Sequence, residues 1–259
     1  MRFAYRALIL ALFIFMLGPL LVTIAVSFNG SAVTAFPPHN LSLRWYQAAL
    51  HNEGFQSAIV TSLILALGAA LFGGVFGTLA ALGINRWSGA GKGVLQTILL
   101  APLLVPGVVV GIALLSSFAS VGLRDSWVRL LLAHTLICFP YSTRTVFASL
   151  ARIEPNLVEA AATLGATSRA IFWNITLPLI RPGLAAGAIF SFVISLDNVP
   201  VSVFLVDART STLPIAIVSY LEYNFDPSVA ALSSMLIAAA LVFAVTLERL
   251  FGLRRAMGI

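Results

Sequence analysis

The strongest constraint on this chain is the recurrence of long apolar runs. Six predominantly apolar stretches, near 7–28, 57–84, 94–119, 128–150, 183–206 and 229–250, recur along the 259 residues. Each is long enough to cross a hydrocarbon core of roughly 30 Å as a helix. Strands of a membrane barrel would alternate polar and apolar residues over about 10 positions. These runs are apolar throughout, so helices are the way for them to satisfy their backbone groups in lipid. The charge content agrees: 9% of the residues are charged, against roughly 25% in a soluble domain. The first stretch, ALILALFIFMLGPLLVTIAVSF after Arg2 and Arg6, is longer than the core of a signal peptide and reads as a retained span. The expectation is an all-α membrane protein, with one transmembrane domain over 1–259 and six spans.

A net charge of +6 would suggest a nucleic-acid partner in a soluble protein, but here the basic residues sort by loop. With the N-terminus in the cytosol, Arg2, Arg6, Arg86, Lys92, Arg144, Arg152, Arg169, Arg181, Arg249, Arg254 and Arg255 fall inside. Arg44, Arg124, Arg129 and Arg209 fall outside. That bias obeys the positive-inside rule and places both termini in the cytosol. Loops 29–56, 120–127 and 207–228 are then external, and 85–93 and 151–182 are cytosolic. No nucleic acid is expected; the surroundings are membrane lipid.

Cys138 is the sole cysteine and lies in an apolar run, which excludes an intramolecular disulfide and a cysteine metal cluster. Ala69, Gly73, Gly77 and Ala81 recur every fourth residue, as do Gly107 with Gly111 and Gly183 with Gly187. Such spacing puts small residues on one helical face, where another backbone can approach closely, and packing within the subunit is the expected use. Pro102 and Pro106 in LLAPLLVPGVVVG each remove a backbone donor, so the third span is expected to bend.

Catalytic chemistry is hard to find. The segment RWSGAGKGV resembles a phosphate loop but has Arg86 where the pattern wants Gly, and Gly93 where it wants Ser or Thr. His39, His51 and His134 lie on separate segments, and neither H-E-x-x-H nor G-x-S-x-G occurs. No catalytic residue, metal ligand or cofactor-binding residue is assigned, and His134 is expected to be a hydrogen-bonded packing residue.

The cytosolic stretch ARIEPNLVEAAATLGATSRAIFWNITLPLIRPG has the chemistry of two short helices joined by a turn. Pro155 suits a first helical position, Gly165 can end the first helix in a left-handed conformation, and Ser168 begins the second. Pro178 and Pro182 are expected to close it. The chemistry of the residues fits two roles, a helix pair docking into a groove of a soluble partner or an amphipathic loop lying on the bilayer. Here the spacing becomes specific. Glu159, Ala160 and Ala161, then Gly165, then Ile175, Leu177 and Pro178 meet the whole E-A-A, three residues, Gly, nine residues, Ile, one residue, Leu-Pro pattern. The stretch resembles the EAA loop of ABC importer permeases.

The resemblance covers almost the whole chain and narrows to the spermidine/putrescine-type, PotC-like branch. LSLRWYQAAL, LLVPGVVVGIALL, FSFVISLDNVPVSVFL and TLPIAIVSYLEYNFDPSVAALSSML carry it. It implies the six-helix fold of binding-protein-dependent importer permeases, in a bacterial inner (plasma) membrane. It implies that loop 151–182 couples to an ATPase through Glu159, Ala160, Ala161, Leu164, Gly165, Ala166, Ile175, Leu177 and Pro178. The implied partners are a dimer of ABC ATPase subunits, which carry the ATP and Mg, a second related permease with a heterodimer favoured, a periplasmic solute-binding protein and a small amine solute. The chain itself would be non-catalytic. It departs from the branch at one place: many members have two adjacent acidic residues where this chain has Asp197 followed by Asn198.

Asp197 interrupts an apolar run about 22 Å from a cytosolic start near residue 182, at a rise of 1.5 Å per residue, which places it in the outer half of the membrane. An acid there is costly unless it faces water or a partner. Pro200 cannot donate to the carbonyl of Leu196, so that oxygen, the Asp197 carboxylate and the Asn198 amide would form an oxygen-rich spot suited to a cation. The substrate pathway is therefore assigned to Asp197, Asn198 and Pro200. Two other roles stay open at this stage. Asp197 could pair with an Arg or cap a broken helix as a structural device, or it could be the proton or cation site of an ion-coupled secondary transporter or channel.

Overall fold

A computed structural model describes residues 2–251; Arg254, Arg255 and the C-terminus expected in the cytosol lie outside them. The described residues form helices and no strand. In chain order these are α1 Arg2–Ser27, α2 Arg44–His51, α3 Glu53–Arg86, α4 Lys92–Leu100, α5 Gly107–Ser120, α6 Ser126–Leu150, α7 Pro155–Thr163, α8 Ser168–Ile171, α9 Leu177–Leu196, α10 Leu213–Tyr223 and α11 Ser228–Phe251. Among them Tyr5–Ser27, Glu53–Arg86 and the continuous stretch Ser168–Leu196 are long and apolar enough to cross a membrane. The pair Lys92–Leu103 and Gly107–Ser120, bent by 96°, would make a fourth if counted as one span.

Two runs fold differently from the expectation. The third is broken rather than bent: Ala101–Leu103 form a 3-10 turn, and Pro106 takes an extended conformation (φ −55°, ψ 131°) as the N-cap of a new helix. The fifth is shifted. Pro178 and Pro182 do not close a helix; the chain stays helical from Ser168 through a π turn at Phe172–Thr176 into α9. A π turn already shifts the hydrogen-bond register, so Pro178 removes a donor where the regular ladder is interrupted anyway. At the other end α9 stops at Leu196, with Asp197 as its C-cap, and residues 197–206 are turns and one 3-10 turn rather than helix.

The described contacts group into two compact units. The first holds α1, α2, the beginning of α3, most of α10 and α11, with α11 packed on both α1 and α2. Its loop after α1 is tied down by buried Asn29, whose side chain donates to the Val33 carbonyl at 2.9 Å and accepts from the amides of Ser31 and His39, each at 3.2 Å. The Ser27 and Tyr46 hydroxyls share a hydrogen bond of 2.7 Å.

The second unit holds most of α3 and everything from α4 to the start of α10. Its centre is the antiparallel pair α6 and α9. Along α9 the buried positions include Gly183, Gly187, Ser191 and Ser195, one every four residues, so they form a single stripe of small groups. A side chain added at Gly183 or Gly187 would run into Thr145 and its neighbours on α6. Further along, Ser191 shares a hydrogen bond of 3.0 Å with Ser142, and its carbonyl accepts from Cys138 at 3.2 Å. The small stripe of α3 serves the same helix: Gly73 lies against Cys138, and Gly77 against Phe139, Ser142 and Thr143. Both four-residue patterns therefore pack within the subunit.

Candidate functional site

The segment between α6 and α9 folds as its punctuation dictates. Pro155 occupies the first turn of α7, where its missing amide hydrogen costs nothing. Gly165 takes φ 82°, its amide donates to Ala162 at 2.9 Å, and the Ala166 amide donates to Ala161 at 3.0 Å. That pair of bonds is a Schellman stop, and it requires the left-handed residue that glycine provides without a Cβ clash. Thr167 then caps α8, accepting from the Ala170 amide at 3.2 Å. The sharp turn between the helices follows directly from GATS.

No residue of α7 is buried within the chain. Glu159 and Ala160 are exposed and Ala161 half-exposed. Leu157 is exposed, and Leu164 stands 88% exposed at the tip. An apolar leucine this open, with Ala160 and Ala161 one turn back on the helix, leaves a helix pair able to insert into a groove. The expected coupling residues do not all share this face. Leu177 is half-buried and packs against the core of Ala81, Val146, Leu150 and Ile180, so it anchors the segment to the membrane helices. Phe172 and Trp173, in edge contact at 5.3 Å, line an apolar groove with α3 and α6.

At the opposite end of α9 the chain turns at Asp197. Asn198 shapes the turn: its side-chain oxygen accepts from the Val201 amide at 3.1 Å, and its carbonyl accepts from the Ser202 hydroxyl. Gly107 and Gly111 of α5 let the returning segment press close. A Cβ at Gly107 would lie 2.9 Å from Pro200, and one at Gly111 would lie 2.6 Å from Phe204. Val201 and Leu205 then insert into a core with Leu65, Leu130 and Ala133. Each of these features fixes the backbone of the turn.

The carboxylate itself is left open. Asp197 is exposed, and among the described residues no side chain pairs with it. It lines a pocket of about 300 Å³ together with Asn198, Pro200, Tyr141, Pro102 and Leu103. The three residues expected on the pathway thus come together, and they face the break in the third apolar run. The position at a helix C-terminus adds partial negative charge from the backbone, so the pocket favours a cation. The expected role of Pro200 differs: the helix has already ended, so the residue shapes the pocket wall rather than freeing the Leu196 carbonyl.

Two contributors escaped the sequence reading. Tyr141 lies on α6, far along the chain, and nothing in its neighbourhood marks it. His134 is a buried, hydrogen-bonded residue as expected, but its partners Ser195 at 2.7 Å and Ser202 at 3.0 Å flank the Asp197 turn. The four-residue spacing of His134, Cys138 and Ser142 matches that of Ser195, Ser191 and Gly187, and could have revealed the alignment.

Described residues that form membrane-length apolar helices, an exposed helix pair on one segment and, on the next, an acid with no side-chain partner among them beside a pocket have the class of a membrane permease. Residues 73–253 match the family described as "Binding-protein-dependent transport system inner membrane component", and the chain belongs to that family. It is 31% identical over 235 residues to the spermidine/putrescine transport system permease protein PotC of Escherichia coli K12, covering 91% of this chain and 89% of the relative. It is also 31% identical over 247 residues to the putrescine transport system permease protein PotI of the same strain, covering 92% and 87%. Among solved structures it is similar to a bacterial ABC transporter involved in import of the acidic polysaccharide alginate, with a TM-score of 0.75, 18% identity and coverage of 96% and 95%. That likeness establishes the fold. Together these similarities support the ABC importer reading over an ion-coupled transporter.

Proposed function

We propose that this permease forms half of the pathway of an ATP-driven importer for a small cationic amine, of the polyamine type. The observation that carries the proposal is the Asp197 carboxylate: borne on a fixed turn, without a side-chain partner among the described residues, at the negative end of α9 and open to a pocket. An ammonium group supplies the donors and the charge that this oxygen-rich site lacks. The printed functions of the two relatives, transport of spermidine and putrescine, point to the same solute chemistry.

The six spans of the proposal are α1, α3, the α4–α5 pair, α6, α9 with its cytosolic extension, and α11. Both termini lie in the cytosol of a bacterial inner membrane, as the loop charges favour. Segment 151–182 then meets a dimer of ABC ATPase subunits that carry the ATP and Mg. Leu157, Leu164, Ala160 and Ala161 form the inserted face, and Gly165 holds its shape. A second related permease completes the pathway, and a periplasmic binding protein delivers the solute. The stretch from Ser168 to Leu196 is continuous helix, so displacement of the cytosolic segment reaches the Asp197 turn along a single rod.

The test is uptake of labelled putrescine by the full complex in proteoliposomes. Uptake should require internal ATP and the binding protein, and should survive collapse of ion gradients by an ionophore. Uptake that follows an imposed ion gradient without ATP contradicts the proposal.

A further inference from the structure

His134 is almost fully buried, as are Ser195 and Ser202, and hydrogen-bond directions along this trio can be assigned from donor counts. The Ser202 hydroxyl gives its single proton to the Asn198 carbonyl, so towards His134 Nε2, 3.0 Å away, it can only accept. Nε2 therefore carries the ring proton. In the neutral ring Nδ1 is then an acceptor, and the bond of 2.7 Å to Ser195 is donated by the serine. A directed chain results: Ser195 hydroxyl to His134, His134 to Ser202, Ser202 to the backbone carbonyl beside Asp197.

The two serines lie on opposite sides of the turn, Ser195 in the last turn of α9 and Ser202 in the returning segment. A single ring on α6 thus clamps both ends of the stretch that presents the acid. Val201 and Leu205 supply apolar packing in their own core, and the ring adds directed bonds to it. We infer that His134 is a positioning residue, holding the 195–202 turn so that the Asp197 carboxylate faces the pocket. The consequence for transport rests on Asp197 lying on the solute pathway.

Side-chain stereochemistry separates the two bonds. An Asn amide places an oxygen or nitrogen two bonds from Cβ, as Nδ1 is, whereas a Gln amide places one three bonds away, as Nε2 is. His134→Asn therefore keeps the link to Ser195 and loses Ser202, while His134→Gln keeps Ser202 and loses Ser195. A merely structural histidine would tolerate or resent both alike.

The experiment measures hydrogen exchange of the 197–206 segment by mass spectrometry, with melting temperature and putrescine uptake, on wild-type, His134→Asn and His134→Gln complexes. Loss of one buried hydrogen bond corresponds to roughly a fivefold change in an opening equilibrium. The probed segment contains Ser202, whereas Ser195 is already held within α9. The Asn variant should therefore exchange about fivefold faster in this segment and need more putrescine for half-maximal uptake, while the Gln variant, which keeps the Ser202 bond, stays close to wild type and both melt together. Equal exchange in the two variants would overturn the positioning role. If the wild-type complex takes up no putrescine, the pathway reading of Asp197 has failed, and the exchange arm alone still decides whether His134 holds the turn.

Discussion

Asp197 and Asp207 stand ten residues apart on the same returning segment, and the protein treats them in opposite ways. Asp207 is answered on every side. Its carboxylate accepts from the Ser126 hydroxyl at 2.6 Å and from the amides of Arg209 and Thr210 at 2.9 and 2.8 Å. Arg129 donates to the same Ser126 oxygen at 2.7 Å. The Ser126 bond first, then the two amides and the Arg129 charge, hold this carboxyl below the usual aspartate range. Asp197 has a well-fixed turn around it but, among the described residues, no donor to its carboxylate. An acid whose donors all come from the chain is part of a loop's construction. One whose backbone is fixed while its oxygens are left free is open to a group that arrives from outside.

Wedging the Asp197 side open gives the largest expected effect. A Cβ at Gly111 would lie 2.6 Å from the Phe204 ring, 3.1 Å from the Pro200 carbonyl and 3.2 Å from the Val201 Cα, and the last two are backbone atoms that cannot rotate away. Gly111→Val should displace segment 200–204 from α5, cost about 1–3 kcal/mol of stability and abolish uptake. Gly74→Ala, with nothing within 4 Å, should be neutral in both melting temperature and uptake. Equal behaviour of the two variants would show that the close approach of α5 does not hold the turn.

A smaller effect is expected on the Asp207 side, confined to stability. Ser126→Ala removes the hydroxyl that links Asp207 to Arg129, and should lower the melting temperature by roughly 2–4 °C while leaving uptake per folded complex unchanged. The pH dependence has a definite sign. A carboxyl whose folded pKa is depressed contributes stability above its unfolded pKa of about 3.9, and that contribution is lost as pH falls through the lower folded value. The stability gap between wild type and Asp207→Asn should therefore be full at neutral pH and close under acid conditions.

Local signals in the sequence located much of this architecture. Apolar run length located the helices that are long enough to cross a membrane among the described residues, and Pro155 with Gly165 drew the helix pair α7 and α8 because caps and left-handed turns are decided by neighbouring residues. Small residues every fourth position marked the faces of α3 and α9 that meet α6. What stayed illegible was set at a distance. Residues 183–206 remain apolar past the end of α9, so composition cannot show the stop at Leu196; it is enforced by Asn198, by His134 on another helix and by the glycine face of α5. Pro178 pointed to a helix end that the π turn absorbs, and Pro182 is carried inside α9. The spot around Asp197 was legible as an acid in an apolar run, whereas its neighbours Tyr141 and Pro102 join it only through folding.

The most direct test of the contrast between the two acids is a paired measurement of melting temperature and binding-protein-stimulated putrescine uptake on Asp197→Asn and Asp207→Asn complexes. Asp197→Asn removes charge that no described residue answers, so the complex should melt as wild type does while uptake falls roughly 10- to 100-fold, the scale of a charge-assisted hydrogen bond. Asp207→Asn should show the reverse, a lower melting temperature with uptake per folded complex preserved. A stable Asp197→Asn complex with wild-type uptake at every putrescine concentration would contradict the account and remove Asp197 from the pathway.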